Sequence, residues 1–165
     1  MMLNLSEIIE VPGSALPFEC ELSIESLPGV ERFTAIPRAD GIIRNMAGAL
    51  ILEAVITVDM ICVCDRCGNE FLSTKLQDVS VPVADDLIDK ENADIFPLEG
   101  DVLDVGEILF TCLILEMETK FLCTPDCAGL CQTCGANLND GPCACPAEID
   151  PRLAVLRQLL DSEDE

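Results

Sequence analysis

Between Cys123 and Cys145 the chain reads CTPDCAGLCQTCGANLNDGPCAC, and this run sets the terms for everything around it. Together with Cys64 and Cys67 it supplies four close cysteine pairs: 64/67, 123/127, 131/134 and 143/145. Two of these, Cys64-Asp-Arg-Cys67-Gly68 and Cys131-Gln-Thr-Cys134-Gly135, are C-x-x-C-G steps. Such a step is a zinc-knuckle turn: the glycine lets backbone N–H groups point at the thiolates while both sulfurs face one ion. Pro142-Cys143-Ala144-Cys145 returns a further pair after a turn rich in Gly, Asn and Asp. The chain has no histidine, so a tetrahedral site here must be all-thiolate. The expected ligands are Cys64, Cys67, Cys123, Cys127, Cys131, Cys134, Cys143 and Cys145, and the expected cofactor is Zn2+, one or two ions in a structural role.

The pairing is open on sequence alone. The nearest closure joins Cys131, Cys134, Cys143 and Cys145, leaving Cys64 and Cys67 to meet Cys123 and Cys127 across space. The alternative joins both C-x-x-C-G turns as a zinc ribbon does, leaving 123/127 with 143/145. Cys20 and Cys62 fall on apolar strand faces and Cys112 on an apolar helix, where thiols serve as small core residues.

Catalytic chemistry finds little footing. A thioredoxin-like redox pair wants C-x-x-C between a strand and a helix, whereas Cys64/Cys67 stands between two extended segments. An iron–sulfur cluster fits the ligand type, but glycine-followed pairs suit zinc better. Without histidine, general acid–base work near neutral pH lacks its usual agent, and no Gly-rich phosphate loop is present. The expectation is therefore not an enzyme. A thiol redox or metal-handling protein using Cys64 and Cys67 is the alternative.

Charge narrows the partners. Nine basic against 31 acidic residues leave a formal net charge of −22, which repels nucleic-acid backbones and favours a basic protein. The N-terminal residues show neither a basic region nor an apolar stretch of signal-peptide type, and the apolar run Met46 to Cys64 is interrupted by Glu53 and Asp59. Many cysteines without an export signal read as reduced thiols, which points to the cytoplasm and away from a membrane.

Read in order, Leu16, Phe18, Cys20, Leu22 and Ile24 alternate with acidic or polar residues and predict a strand, ended at Leu27-Pro28-Gly29. Val30 to Ile36 is a weaker strand, and Asp40-Gly41 is a turn signal. Leu50, Leu52, Ala54, Ile56, Val58, Met60 and Cys62 share one face of the longest strand. It enters the Cys64–Gly68 turn, and Phe71 to Val83 resumes the extended pattern until Pro82. Residues 84–101 form an acidic loop. Asp104-Val-Gly-Glu107 resembles a capping box, opening a buried helix that carries Ile108, Leu109, Cys112 and Leu115. Asp150-Pro151 opens a C-terminal helix striped by Leu153, Leu156 and Leu160. The fold class is thus α+β: an antiparallel, barrel-like β-meander packed with one buried helix, a cysteine-rich segment and a C-terminal helix. It divides into a β-rich core over 1–122 and a metal-binding segment with its helix over 123–165, integrated as one domain.

In this order, C-x-R-C-G (Cys64 to Gly68), C-A-G-L-C-Q-T-C-G-A-N-L-N (Cys127 to Asn139), C-A-C and D-P-R-L-A-V-L (Asp150 to Leu156) resemble the YceD family, the large-ribosomal-RNA accumulation proteins of bacteria and plastids. The resemblance runs from about Met46 to Leu160. It implies a non-catalytic role in 23S rRNA accumulation or processing, hence ribosome biogenesis and large-subunit assembly. The partners it suggests are basic ribosomal or assembly proteins, with rRNA reached indirectly through them or touched at Arg66. That arginine has a second reading, as a brace for the first cysteine turn.

Overall fold

The computed structural model describes residues 1–85 and 96–145. Ten elements run in order: β1 (Met2–Asn4), α1 (Ser6–Ile9), β2 (Ala15–Glu21), β3 (Val30–Phe33), β4 (Arg38–Met46), β5 (Ala49–Val63), β6 (Glu70–Asp85), β7 (Phe96–Leu98), β8 (Val102–Asp104) and α2 (Val105–Leu115). Most of them form one six-stranded sheet in the order β2-β4-β5-β6-β7, with β3 also on β5. The sheet is open: β2 and β7 end it and do not meet, so the barrel-like closure expected from the sequence is absent.

Strand β5 is the spine. Its even positions from Leu50 to Cys62 are all buried, with Leu52, Ile56, Val58 and Cys62 fully so. Period-two alternation puts every second side chain on one face, and each aliphatic residue buried there contributes roughly 1.5–3 kcal/mol. β3 and β4 lie end to end along one edge of β5, pairing with Met60–Cys62 and Ala49–Thr57 respectively. β6 takes the other edge over its whole length, from Leu50↔Val83 to Val63↔Glu70. The inner face is covered by α1, α2 and the β1–β8 ribbon, whose Leu5, Ile8, Leu103, Val105, Ile108, Leu109 and Leu113 join the same core as β5.

Several local expectations change in three dimensions. Asp40-Gly41 lies inside β4, not at a turn. Gly41 faces Phe18 on β2 and Ala54 on β5, and a Cβ there would come within 2.5 Å of the Phe18 ring and 2.6 Å of the Glu53 carbonyl oxygen. The glycine therefore makes room for an aromatic ring across the strand. Gly41→Ala is expected to lower stability by about 1–3 kcal/mol through overpacking, read as a fall in the urea midpoint. The reversal occurs instead at Ala47-Gly48, where both residues have positive φ (57° and 98°) as a tight hairpin turn needs.

Pro82 does not end β6, which continues to Asp85. Proline is tolerated at this point because β6 gains its second neighbour, the parallel β7, only from Val83 onward. β2 stops at Glu21, so Leu22 and Ile24 are not strand residues, although Leu22 remains buried. Asp104 caps α2, its Oδ1 accepting from the Glu107 N–H at 3.2 Å, as the box motif predicts. Leu115 does not join the core: at the C-terminal end of α2 it is 77% exposed. That end is held instead by Lys75, whose Nζ donates to the Glu116 carbonyl at 2.7 Å and pairs with Glu118. Most of the acidic loop, residues 86–95, and the C-terminal helix expected after Asp150 lie outside the described residues.

Candidate metal centre

The β5–β6 hairpin ends in the first cysteine turn. Gly68, at φ 72°, donates its N–H to the Cys64 carbonyl at 2.8 Å, and the Cys64 N–H reaches Asn69 O at 2.9 Å. The second turn repeats this bond for bond. Gly135 is at φ 72°, its N–H is 2.9 Å from Cys131 O, and Cys131 N is 2.8 Å from Ala136 O. Both glycines occupy a left-handed conformation that a side chain would strain, so C-x-x-C-G is a geometric unit here.

Phe121 delivers the chain to the first turn. Its ring is buried against Gly29, its N–H donates to Asp65 Oδ2 at 2.6 Å, and its carbonyl accepts from Asp65 N at 2.8 Å. Cys123 and Cys127 follow directly. The structure gathers the eight cysteines into two quartets: Cys64, Cys67, Cys123 and Cys127 in one, Cys131, Cys134, Cys143 and Cys145 in the other. Within each quartet all sulfurs lie within 4.8 Å of one another. This is the short-closure arrangement, and the zinc-ribbon pairing of the two turns with each other is not the one adopted. The reason is that the second turn lies on its own small hairpin and meets the local pair 143/145.

The donor set fits a tetrahedral thiolate centre. Zn–S bonds of about 2.3 Å place the sulfurs at the corners of a tetrahedron with edges of about 3.8 Å. Cys64 Sγ lies 3.7 Å from Cys127 Sγ, and Cys67 Sγ lies 3.7 Å from Cys123 Sγ. A disulfide would need about 2.05 Å, and all eleven cysteines are free. Burial opposes ionisation of Cys64, but backbone N–H groups of Cys123, Cys67 and Arg66 outweigh it and bring the thiol down to about 6. The backbone N–H groups of Cys134 and Thr133 do the same for Cys131, also to about 6. Their neighbours shift the other way. A backbone bond from Asn69 is the largest single influence on Cys67 and lowers it, but burial and the bonds with Cys64, Cys127 and Cys123 together outweigh it and push the thiol up to about 12. Cys145 is pushed up to about 12 chiefly by its bond with Cys134. Crowded sulfurs share few negative charges until a cation neutralises them, which is the condition a metal relieves.

The quartets differ in setting. Cys64, Cys67 and Cys127 are buried in a small apolar cluster flanked by Phe71, Leu122 and Cys123. In the second quartet Cys134 is exposed and the other three are half-buried. Arg66, in the first turn, donates from Nη1 to Cys127 O at 2.8 Å and more weakly to Pro125 O at 3.4 Å, so it braces the loop carrying Cys123 and Cys127. Asn139, which sequence reasoning passed over, donates from Nδ2 to Cys127 Sγ at 3.3 Å. The only sequence signal for it is its place in the A-N-L-N run. Cys62 is fully buried, and Cys20 and Cys112 are half-buried against the core; burial raises all three thiols, as core residues require. The Cys64–Cys67 turn joins two strands, so it lacks the helix N-terminus that activates redox cysteines.

The family described as "Large ribosomal RNA subunit accumulation protein YceD" matches residues 52–160, a stretch that includes all eight cysteines of the two quartets. An uncharacterized protein of Mycobacterium tuberculosis is 31% identical over 75 residues, covering 46% of this chain and 36% of that protein. The Zea mays protein named Large ribosomal RNA subunit accumulation protein YCED homolog 1, chloroplastic, is 39% identical over 51 residues, 30% of this chain and 17% of its own length. Its Arabidopsis thaliana counterpart is 36% identical over 64 residues, 39% of this chain and 20% of its own length. The matched stretches thus cover between 17% and 36% of the lengths of these relatives. No solved structure matches the chain. Among the described residues, no helix is long and apolar enough to cross a membrane.

Proposed function

Because this chain belongs to the family of large ribosomal RNA subunit accumulation proteins, we propose that it is a non-catalytic factor supporting 23S rRNA accumulation and large-subunit assembly. Zinc in the first cysteine quartet ties residues 123–127 to the tip of the β5–β6 hairpin, and zinc in the second closes the hairpin that follows. The family match, spanning β5 to beyond the last cysteine, is the observation that carries this reading. Sulfur spacing and the absence of histidine favour zinc over harder ions.

The protein works by holding a basic ribosomal or assembly protein, so that rRNA is reached through that partner. Its net charge of −22 supports a basic partner and opposes direct contact with phosphates. Strand β6 offers an apolar surface for such a partner: Leu72 and Leu76 point away from the core, 76% and 69% exposed. Over Glu70–Pro82 the outer edge of β6 is unpaired among the described residues. Capture of basic large-subunit proteins that weakens as salt rises is the expected behaviour.

The test has two arms. Depleting the protein from its host lowers mature large-subunit rRNA relative to small-subunit rRNA; an unchanged ratio would reject the role. Elemental analysis of anaerobically purified protein finds two zincs, with the eight quartet thiols resisting alkylation until a chelator is added. Iron, or metal-free protein with reactive thiols, would move the reading to redox chemistry at Cys64 and Cys67.

A further inference from the structure

Among the described residues, the hydrogen bonds that anchor the hairpin of the second quartet run to the first cysteine turn. Residues 127–139 form a small hairpin, with Leu130 opposite Asn137 and the Cys131–Gly135 turn at its tip. Its base lies on the first cysteine turn. Leu130 N donates to Arg66 O at 3.2 Å while Arg66 Nη1 returns to Cys127 O at 2.8 Å. Gly129, at φ 76°, lies so close over this turn that a Cβ would sit 3.0 Å from Arg66 O.

Asn139 closes the hairpin at its other strand. Its Oδ1 accepts from Ala128 N at 2.8 Å, and its Nδ2 donates both to Asn137 Oδ1 at 2.7 Å and to Cys127 Sγ at 3.3 Å. Leu138 N adds a bond to Gly129 O at 2.9 Å. One side chain thus touches a sulfur of the first quartet and fixes the strand that leads, through Asp140, Gly141 and Pro142, to Cys143 of the second.

We propose that the two quartets load metal as one coupled unit, with Asn139 as the residue that links them. This deepens the reading of both quartets as metal sites and rests on it. An ion in the first quartet fixes Cys127; Asn139 then holds the return strand, so the thiols of the second quartet are already close and fewer residues remain to be ordered. By linkage the effect is reciprocal: an ion in the second quartet tightens the first by the same factor. The amide N–H at Cys127 also acts as an outer hydrogen bond to a thiolate ligand, a contact whose loss commonly weakens a metal site 10–100-fold.

The experiment is an anaerobic Co2+ titration of the full chain against a competing chelator, followed by thiolate-to-cobalt absorption. The chains compared are wild type, Asn139→Ala, Asn139→Asp and the pair Cys143→Ser/Cys145→Ser. Wild type should fill both sites within one cooperative transition. The serine pair should weaken the first site roughly 5–150-fold although none of its ligands has changed. Asn139→Ala should lower first-site affinity about 10–100-fold and separate the two transitions. Asn139→Asp keeps the acceptor for Ala128 N but has no N–H for the sulfur and adds a negative charge beside it, so it should weaken the first site at least as much as alanine does. Amide protection in β5 checks that each variant retains the sheet.

Unchanged first-site affinity in the serine pair, or two wild-type affinities in Asn139→Ala, would overturn the coupling while leaving two independent metal sites. Absence of thiolate-to-cobalt absorption in wild type would overturn the metal reading and the coupling with it.

Discussion

Cys67→Ser is expected to strip the metal from the first quartet and unfold residues 122–145 while the sheet survives. The two parts are held by different forces. The sheet and its helices share one apolar core running from Leu5 to Phe121, to which Cys64, Cys67 and Cys127 do not belong. Those three residues form a satellite cluster with, among the described residues, Phe71, Leu122 and Cys123 packed against it. Burial on that scale cannot offset the ordering of the segment, at roughly 1–2 kcal/mol of backbone entropy per residue. A structural zinc in the proposed site would supply an apparent free energy of roughly 10–16 kcal/mol, a contribution of adequate size. Amide hydrogen exchange should show protection lost across 122–145 and kept in β4 and β5, with metal content falling in parallel. Unchanged protection in a variant that has lost the metal of the first quartet would mean that the segment is held by its hydrogen bonds and packing instead. Serine at the exposed Cys134 should be milder, loosening the hairpin tip and sparing residues 121–127.

The second large effect is expected at Asn45, a polar residue with 1% exposure. Its Nδ2 donates to the carbonyls of Ile8 and Ile9, each at 2.7 Å, and its Oδ1 accepts from Gly48 N at 2.8 Å. One side chain therefore satisfies the end of α1 and braces the β4–β5 turn, where Ala47 adopts a positive φ that alanine disfavours. Asn45→Leu keeps the volume but removes all three bonds. A buried polar group left unsatisfied costs about 1–3 kcal/mol, so with some groups re-solvated the expected loss is about 3 kcal/mol. Urea unfolding should register this as a lower midpoint, and the hairpin turn should lose protection first. Asn45→Asp keeps the acceptor for Gly48 N but sets a carboxylate oxygen against the Ile8 and Ile9 carbonyls, so at neutral pH it should destabilise at least as much as leucine. A loss below about 0.5 kcal/mol in Asn45→Leu, the range of ordinary surface changes, would remove Asn45 from the framework of the fold.

Much of this was legible in the chain because its signals are local. The alternation from Leu50 to Cys62 is a strand with one buried face whatever surrounds it, and each C-x-x-C-G step builds the same turn from its own backbone bonds. The Asp104 cap of α2 needs nothing beyond residues 104–107. The misread points depended on distant partners. Asp40-Gly41 carries the composition of a turn, but Phe18 and Ala54 require a glycine inside a strand at that place. β1 and β8 are three residues each and exist because Met2–Asn4 meets Val102–Asp104.

The cysteines divide along the same line. Which cysteines are candidate ligands, and that their donors are thiolates without histidine, follow from spacing and composition, properties of the chain itself. How the pairs combine is a matter of distance in space. Phe121, set on Gly29 and bonded to Asp65, brings Cys123 and Cys127 to the tip of the β5–β6 hairpin, and the second turn is left to close on Cys143 and Cys145. Backbone geometry repeats wherever its short motif repeats, so sequence determined the turns. Meeting of segments more than fifty residues apart depends on the packing between them, so only the tertiary structure decided the quartets and the place of Asn139 between them.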